Sequence, residues 1–307
     1  MLSSSVIICT KNRRDDLARC LESVCRQTRP PEELIVVDAG DDDSETVLRE
    51  AAQRLPSCAV RYLRAEPGLT RQRNAGVREA TKDVVHFLDD DVILDPPYLD
   101  EMQKIFEAAD GQDVAGVGAT ARLPQGPPPI LGTWLRRLFL LTRINGDGRM
   151  QPSGFGTLTW YSDYAAPHPV QIVGGCGCAF RRTVFDHIAF DEFFAGYGHM
   201  EDAEFSYRAG KLGRLLGHPR ATLLHVATPV ARTDWRRLSK MQILNHHYVF
   251  TKLIEPNGFR WLCFWWSEIG ESLLRAVRFA KCRDFGIFWG MWDGYAALLT
   301  GHRRRGP

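Results

Sequence analysis

The sequence predicts an α/β protein built on a mainly parallel sheet covered by helices. Short apolar, β-branched runs alternate with segments of helical periodicity between Val6 and Leu88, and those runs end in Thr, Asn or Asp. Beyond His225 the pattern is helical and aromatic, so a helical extension is expected after the sheet. The expected domains are residues 1–228 for the α/β part and 229–307 for the extension.

The elements follow in order. Val6 to Cys9 is a short strand, and Asp16 to Val24 sets Leu17, Cys20, Leu21 and Val24 at helical spacing until Pro30 and Pro31 stop the helix. Leu34 to Val37 is a second strand ending in Asp38, Ser44 to Leu55 is helical, and Val84 to Leu88 is a strand ending in acidic residues. From about Thr120 to Pro169 the pattern dissolves into Pro, Gly and Arg, including Pro127 to Pro129, and irregular structure is expected: a substrate wall, a lid or a weakly ordered excursion. Order returns at Val170 to Val173, followed by Gly174, Gly175 and Gly177 and by a helix from Glu201 to Leu212.

Composition bounds the function. With 307 residues, 44% apolar, 25% charged and a formal net charge of +2, the chain reads as a globular protein and gives no sign of a dedicated nucleic-acid binder. The 8 cysteines show no C-x-x-C spacing and read as reduced, packed thiols, which favours the cytoplasm. No basic segment followed by an apolar stretch marks a signal peptide, and the most apolar region, Trp261 to Leu274, contains Glu268 and Glu271. The expectation is a protein that does not span a membrane.

In open α/β sheets ligands bind outside the carboxyl ends of the strands, and here those ends carry Thr10 and Asn12, Asp38, and Asp89 to Asp91. Adjacent carboxylates repel, so Asp89, Asp90 and Asp91 suit a divalent cation that also grips diphosphate oxygens; alone, the triplet is equally a solvated loop or a cap. Glu201 and Asp202 open a helix with Phe205, Ala209 and Leu212 on its apolar stripe. Asp202 on that inward edge can take a proton from a hydroxyl, although capping of the helix end explains it too. His225 closes the run Ala221 to Leu224, as a packed residue or as an imidazole ligand that would shift preference toward manganese. Between Gly68 and Gly76, Arg71 or Arg73 can fork onto phosphate or fix nearby carboxylates.

Together these residues resemble glycosyltransferase family 2. Thr10-Lys11-Asn12-Arg13, Val37-Asp38, Arg71 to Gly76, Leu88 to Asp91, Gly174-Gly175 before Arg181 and Arg182, Glu201-Asp202 and His225 stand in the family's order over residues 4 to 228. The resemblance implies a GT-A type, Rossmann-like fold and an inverting transfer from a nucleotide sugar to an acceptor hydroxyl. It implies Thr10, Asn12 and Asp38 at the nucleoside, Arg71, Asp89, Asp90, Gly174 and Gly175 at the donor, and Asp89, Asp91 and His225 at Mn2+ or Mg2+. Asp202 would be the base and Glu201 would position the acceptor. UDP- or dTDP-sugars are favoured over GDP-sugars through Asp38, and the acceptor is a glycan or a lipid-linked molecule in bacterial surface polysaccharide or glycolipid assembly.

Two other readings are a metal-dependent nucleotidyltransferase and a non-catalytic sugar-nucleotide-binding subunit. The first leaves Glu201, Asp202 and His225 without a task, and the second is expected to lack the base or the metal carboxylates. From about Asp234 onward, aromatic residues mix with Arg and Lys, notably over Phe259 to Ala280, Phe285 to Leu299 and Arg303 to Arg305. That mixture suits peripheral docking on the inner face of the cell membrane, and it equally suits core packing or a homo-oligomer interface.

Overall fold

The computed structural model describes residues 1–108, 111–126, 130–142, 146–158, 164–194, 196, 198–228 and 234–300. Pro127 to Pro129 and Arg303 to Arg305, singled out in the sequence, lie outside the described residues. The chain divides into two compact units, Met1–Pro127 with Leu158–Thr228, and Pro128–Thr157 with Pro229–Pro307. Residues 128–157, which interrupt the α/β sequence, therefore cluster with the C-terminal helices.

The first unit holds one sheet. Its elements are β1 (Ser4–Thr10), α1 (Arg14–Cys25), β2 (Glu33–Asp38), α2 (Ser44–Gln53), β3 (Ala59–Arg64), α3 (Leu69–Glu79), β4 (Val84–Asp89), β5 (Val92–Leu94), α4 (Tyr98–Glu107) and β6 (Val114–Arg122). After the segment given to the second unit come β7 (His168–Val170), β8 (Gly177–Arg181), α6 (Glu201–Ala209) and β9 (Arg214–His225). Among the described residues the strand order is β3-β2-β1-β4-β8-β6-β9-β5, with β7 beside β9. The block β3-β2-β1-β4 is parallel, and β8 enters antiparallel between β4 and β6.

β1, β2 and β4 read as largely apolar runs because both faces of the sheet are covered there. In β1, Val6 and Ile8 join a core with Leu17 and Leu21 of α1 and Leu48 of α2, while Ile7 joins one with Val85, Phe87, Phe180 and Phe205. On that second face Phe190 stacks on Phe205 at 4.1 Å and meets Phe87 edge-on at 5.1 Å, an aromatic mass that seats α6.

Parallel register sets the site. Thr10 lies opposite Asp38 and Cys9 opposite Asp89, so three strand ends meet along one edge of the sheet. β5 turns back to pair antiparallel with the end of β9, placing Val92 opposite His225 and so bringing the histidine to the acidic triplet. The cysteines are free thiols, and burial pushes the buried Cys20 well above its ordinary value, as suits packed rather than reactive groups.

In the second unit α5 (Ile130–Leu138) corrects the expectation of irregular structure: Leu131, Trp134, Leu135 and Leu138 recur at helical spacing within that stretch. It accompanies α7 (Trp235–Leu253), α8 (Gly258–Cys282) and α9 (Gly286–Leu299). The unit encloses a polar network: His246 meets Glu268 through Nδ1 at 2.6 Å and the Ser153 carbonyl through Nε2 at 2.8 Å, and the Tyr295 hydroxyl donates to Glu268 at 2.7 Å. Among the described residues, no helix is long and apolar enough to cross a membrane.

Candidate active site

The acidic end of β4 forms the centre. Asp89, Asp91 and His225 each offer a ligand atom, all within 4.8 Å of one another. His225 Nε2 lies 3.3 Å from Asp91 Oδ1, and the Thr228 N–H donates to Asp91 Oδ2 at 3.1 Å. Two carboxylates and one imidazole converging this closely fit Mn2+ or Mg2+, with the nitrogen favouring manganese. Burial raises the Asp91 carboxyl, but the hydrogen bond and charge of His225, with those of Arg13, overcome it and hold the group below the ordinary carboxylate range. Asp91 is therefore an anion ready to act as a ligand.

Asp90 is different. Its side chain turns to Thr10 Oγ1, which donates at 2.9 Å, and to Arg13, which pairs at 2.9 Å. Burial pushes it up to about 7, against the pull of Arg13 and Thr10. Arg13 also pairs with Asp91 at 2.9 Å and Asp16 at 3.1 Å, making it the cation that lets the neighbouring carboxylates share one place. The sequence quoted Arg13 only as part of a motif; its spacing from the triplet hides this role.

The nucleoside candidates stand at the ends of β1 and β2. Asn12 occupies the left-handed region at φ 53, and its Oδ1 accepts the Asp41 N–H at 2.7 Å. Gly40 keeps this loop closed, since a Cβ there would lie 2.4 Å from the Asn12 nitrogen. Asp38 is fully buried and already accepts from the Gly40 N–H at 2.7 Å, the Tyr62 hydroxyl at 2.6 Å and Arg64 at 3.2 Å. Tyr62 and Arg64, which the sequence did not point to, thus belong to the same corner as Asp38.

The base candidates sit at the start of α6. Asp202 Oδ2 accepts the Gly175 N–H at 3.1 Å, and Oδ1 accepts the Ala203 N–H at 2.8 Å. Helix-end capping and placement beside the glycine turn thus coexist in one side chain. Burial pushes Asp202 above its ordinary value, against those two N–H groups and Arg73; Glu201 is pushed up to about 8, by burial first and then by Asp202. Such elevated carboxyls are what general-base chemistry near neutrality uses.

Arg73, rather than Arg71, joins the two halves. Its buried guanidinium reaches Asp89 at 3.3 Å, Glu201 at 3.4 Å and the Gly175 carbonyl at 3.0 Å. Glycine suits this contact, because a Cβ at Gly175 would stand 3.0 Å from Arg73 Nη2 and 3.2 Å from Asp202 Cβ and press on both. Gly174 closes the turn by accepting the Gly177 N–H at 3.4 Å. Arg71 sits instead at Glu192, 3.5 Å away, and is partly exposed.

With this geometry in view, the comparisons with known proteins are specific. Residues 5–188 match the family Glycosyl transferase family 2. The chain belongs to glycosyltransferase family 2. It is 40% identical over 222 residues, 72% of this chain and 73% of the relative, to the uncharacterized glycosyltransferase YwdF of Bacillus subtilis. It is 32% identical over 117 residues, 36% of this chain and 35% of the relative, to the undecaprenyl-phosphate 4-deoxy-4-formamido-L-arabinose transferase of Serratia proteamaculans. Among solved structures, the mannosyltransferase PcManGT of Pyrobaculum calidifontis in complex with GDP-Man and Mn2+ aligns with a TM-score of 0.58 over 98% of this chain and 75% of its own, at 18% identity. The family 2 chain therefore has a GT-A type fold and is a glycosyltransferase.

Proposed function

We propose that this family 2 enzyme moves a sugar from a nucleoside diphosphate to an acceptor hydroxyl in one displacement that inverts the anomeric carbon. The observation carrying this reading is the half-buried Asp202, tied through Gly175 and Arg73 to the carboxylate Asp89. One group suited to take a proton and another suited to face a diphosphate are thereby held in one rigid frame.

In the step, Asp202 accepts the hydroxyl proton as the acceptor oxygen bonds to the anomeric carbon. The bond from that carbon to the diphosphate oxygen breaks on the opposite face, and the nucleoside diphosphate leaves with the electron pair. Asp89, Asp91 and His225 would hold Mn2+ or Mg2+, which when bound supplies charge compensation for the diphosphate. Glu201 positions the acceptor, and Thr10, Asn12 and Asp38, with Tyr62 and Arg64, form the nucleoside corner. Gly174 and Gly175 let backbone approach the donor sugar. Residues 1–228, apart from the segment 128–157 that clusters elsewhere, constitute the catalytic domain in this reading.

The acceptor is read as a glycan or a lipid-linked molecule of surface polysaccharide assembly, supported by the polyprenyl-phosphate substrate in the name of the Serratia relative. The decisive experiment incubates the protein and Mn2+ with UDP-, dTDP- and GDP-sugars, following donor hydrolysis and melting temperature. Hydrolysis and stabilisation by one nucleotide series are expected, with UDP or dTDP ahead of GDP; turnover of nucleoside triphosphates with sugar phosphates instead would make the protein a nucleotidyltransferase.

His225→Ala should weaken Mn2+ binding by roughly tenfold or more, since one of three ligands is removed, while the melting temperature stays close to that of the native protein. Titration of Mn2+ by its electron paramagnetic resonance signal reads this directly. An unchanged titration with a large fall in melting temperature would return His225 to a packing role.

A further inference from the structure

The longest described helix of the second unit carries apolar residues on more than its inward face. α8 buries Cys263, Phe264, Glu268 and Arg275, and a second set of large apolar residues faces outward. Leu262, Trp266, Ile269, Leu273 and Val277 recur every three or four residues, and Leu262 is 71% exposed, Leu273 52%. With 25 residues at about 1.5 Å each, the stripe runs along a helix of roughly 37 Å.

α5 adjoins this stripe. Its end is fixed on α8, where Phe139 and Trp266 lie 5.0 Å apart and the Trp266 Nε1–H donates to the Leu138 carbonyl at 2.7 Å. Gly270 permits this seat, since a Cβ there would fall 2.2 Å from Phe139 Cβ. α5 then presents Leu131, 72% exposed, Trp134, 59% exposed, Leu135 and Leu138. Single exposed leucines are ordinary on a protein, whereas a run on two helices joined at one point is the mark of a surface that meets something apolar.

The charges around the face choose the partner. Arg136 on α5 and Arg278, Lys281 and Arg283 at the end of α8 are exposed, while α5 has no acidic residue and Glu271 lies 3.8 Å from the buried Arg275. A second copy joined by a two-fold axis would set these cations against themselves with no exposed carboxylate from either helix to receive them. An anionic bilayer receives both parts: leucines enter the acyl boundary, indoles settle at headgroup depth, and cations meet lipid phosphates.

We propose that the second unit docks on anionic membrane surfaces through the face formed by α5 and α8. This goes beyond the catalytic reading and does not depend on it. The test is sedimentation of the full-length protein with vesicles of phosphatidylglycerol mixed with phosphatidylcholine, beside vesicles of phosphatidylcholine alone. Binding to the mixed vesicles is expected, with at least about tenfold less on the neutral ones, and raised salt should weaken it. Leu131→Asp combined with Leu273→Asp should lower binding by roughly 100-fold or more, because both sites are exposed in the free protein and only the docked state buries them. Arg136→Glu combined with Lys281→Glu should reduce it by about tenfold or more on the mixed vesicles. Donor hydrolysis in solution, measured in parallel, should be unchanged by either pair, which keeps a failure here distinct from a failure of the catalytic reading. A protein that ignores both kinds of vesicle overturns the proposal, as does one whose binding survives the Leu131 and Leu273 exchanges. Concentration-dependent dimerisation abolished by those same exchanges, without vesicle binding, would assign the face to a second copy instead.

Discussion

Asp202→Asn is expected to lower turnover by roughly 100-fold or more while leaving the protein folded and able to bind nucleotide, the scale of a lost general base. The amide keeps the volume of the carboxylate and one oxygen to accept the Gly175 N–H, which now lies 3.1 Å from Asp202. It cannot take a proton. The pH profile adds a second readout. Burial raises Asp202, so the active, ionised form accumulates as pH rises, and the acidic limb of kcat/KM should sit above the roughly 3.9 of an ordinary aspartate. In Asp202→Asn that limb should vanish from the residual rate. Turnover near the native level with chemistry rate-limiting would move the base elsewhere, first to Glu201, which burial and Asp202 push up to about 8.

The part of this site that was legible in the sequence lies where apolar strands end in polar groups. Val6 to Cys9, Leu34 to Val37 and Val84 to Leu88 announce themselves because strands buried on both faces admit almost nothing but apolar residues. Their register then makes neighbours of Thr10, Asp38 and Asp89 without further information. α3 escaped as a helix for the opposite reason: its buried positions are Thr70, Gln72, Arg73 and Gly76, so the inward face carries no hydrophobic period. Gln72 donates to the carbonyls of Thr10 and Val37 at 2.9 Å each, and Arg73 spans the carboxylates, so what looks like a surface pattern is a polar core. The choice between Arg71 and Arg73 rests on which way one helical turn faces, and Gly68 to Gly76 does not encode that by itself.

β6 was hidden by its small residues. Gly116 and Gly118 are unfavourable strand formers, yet a Cβ at Gly116 would meet Phe180 at 2.5 Å and one at Gly118 would meet Val173 at 2.7 Å. The large partners on β8 and before it dictate the gaps, and those partners are distant in sequence. α5 was missed for a different reason: Leu131, Trp134, Leu135 and Leu138 do stand at helical spacing, but they lie just after Pro127 to Pro129 in a stretch rich in Pro, Gly and Arg that reads as loop. The pairing of β5 with β9, which delivers His225, is a tertiary fact with no local sign.

Removing Asp91 should have the other large effect. Asp91→Ala is expected to lower turnover by on the order of 1000-fold and to weaken Mn2+ binding in parallel, since several kcal/mol of charge stabilisation at a diphosphate depends on a metal held in place. Asp91 is favoured over Asp89 for this test because of its surroundings. His225 and Arg13 keep it ionised against burial, and the Thr228 N–H fixes its second oxygen, so its ligand atom is preorganised. Asp89 is less buried and is shared with Arg73. The alanine variant also strips a carboxylate from Arg13, but Asp90 and Asp16 remain within 2.9 and 3.1 Å of that guanidinium, so the charge keeps partners and the fold should survive. Asp91→Asn separates charge from shape: it retains an oxygen for the Thr228 N–H and should still lose most Mn2+ affinity, because a neutral amide oxygen binds a hard dication weakly. Full activity of the native protein in excess chelator, or Asp91→Ala turnover near native with an unaltered Mn2+ titration, would remove the metal from this reading and leave the triplet to Arg13 and Arg73.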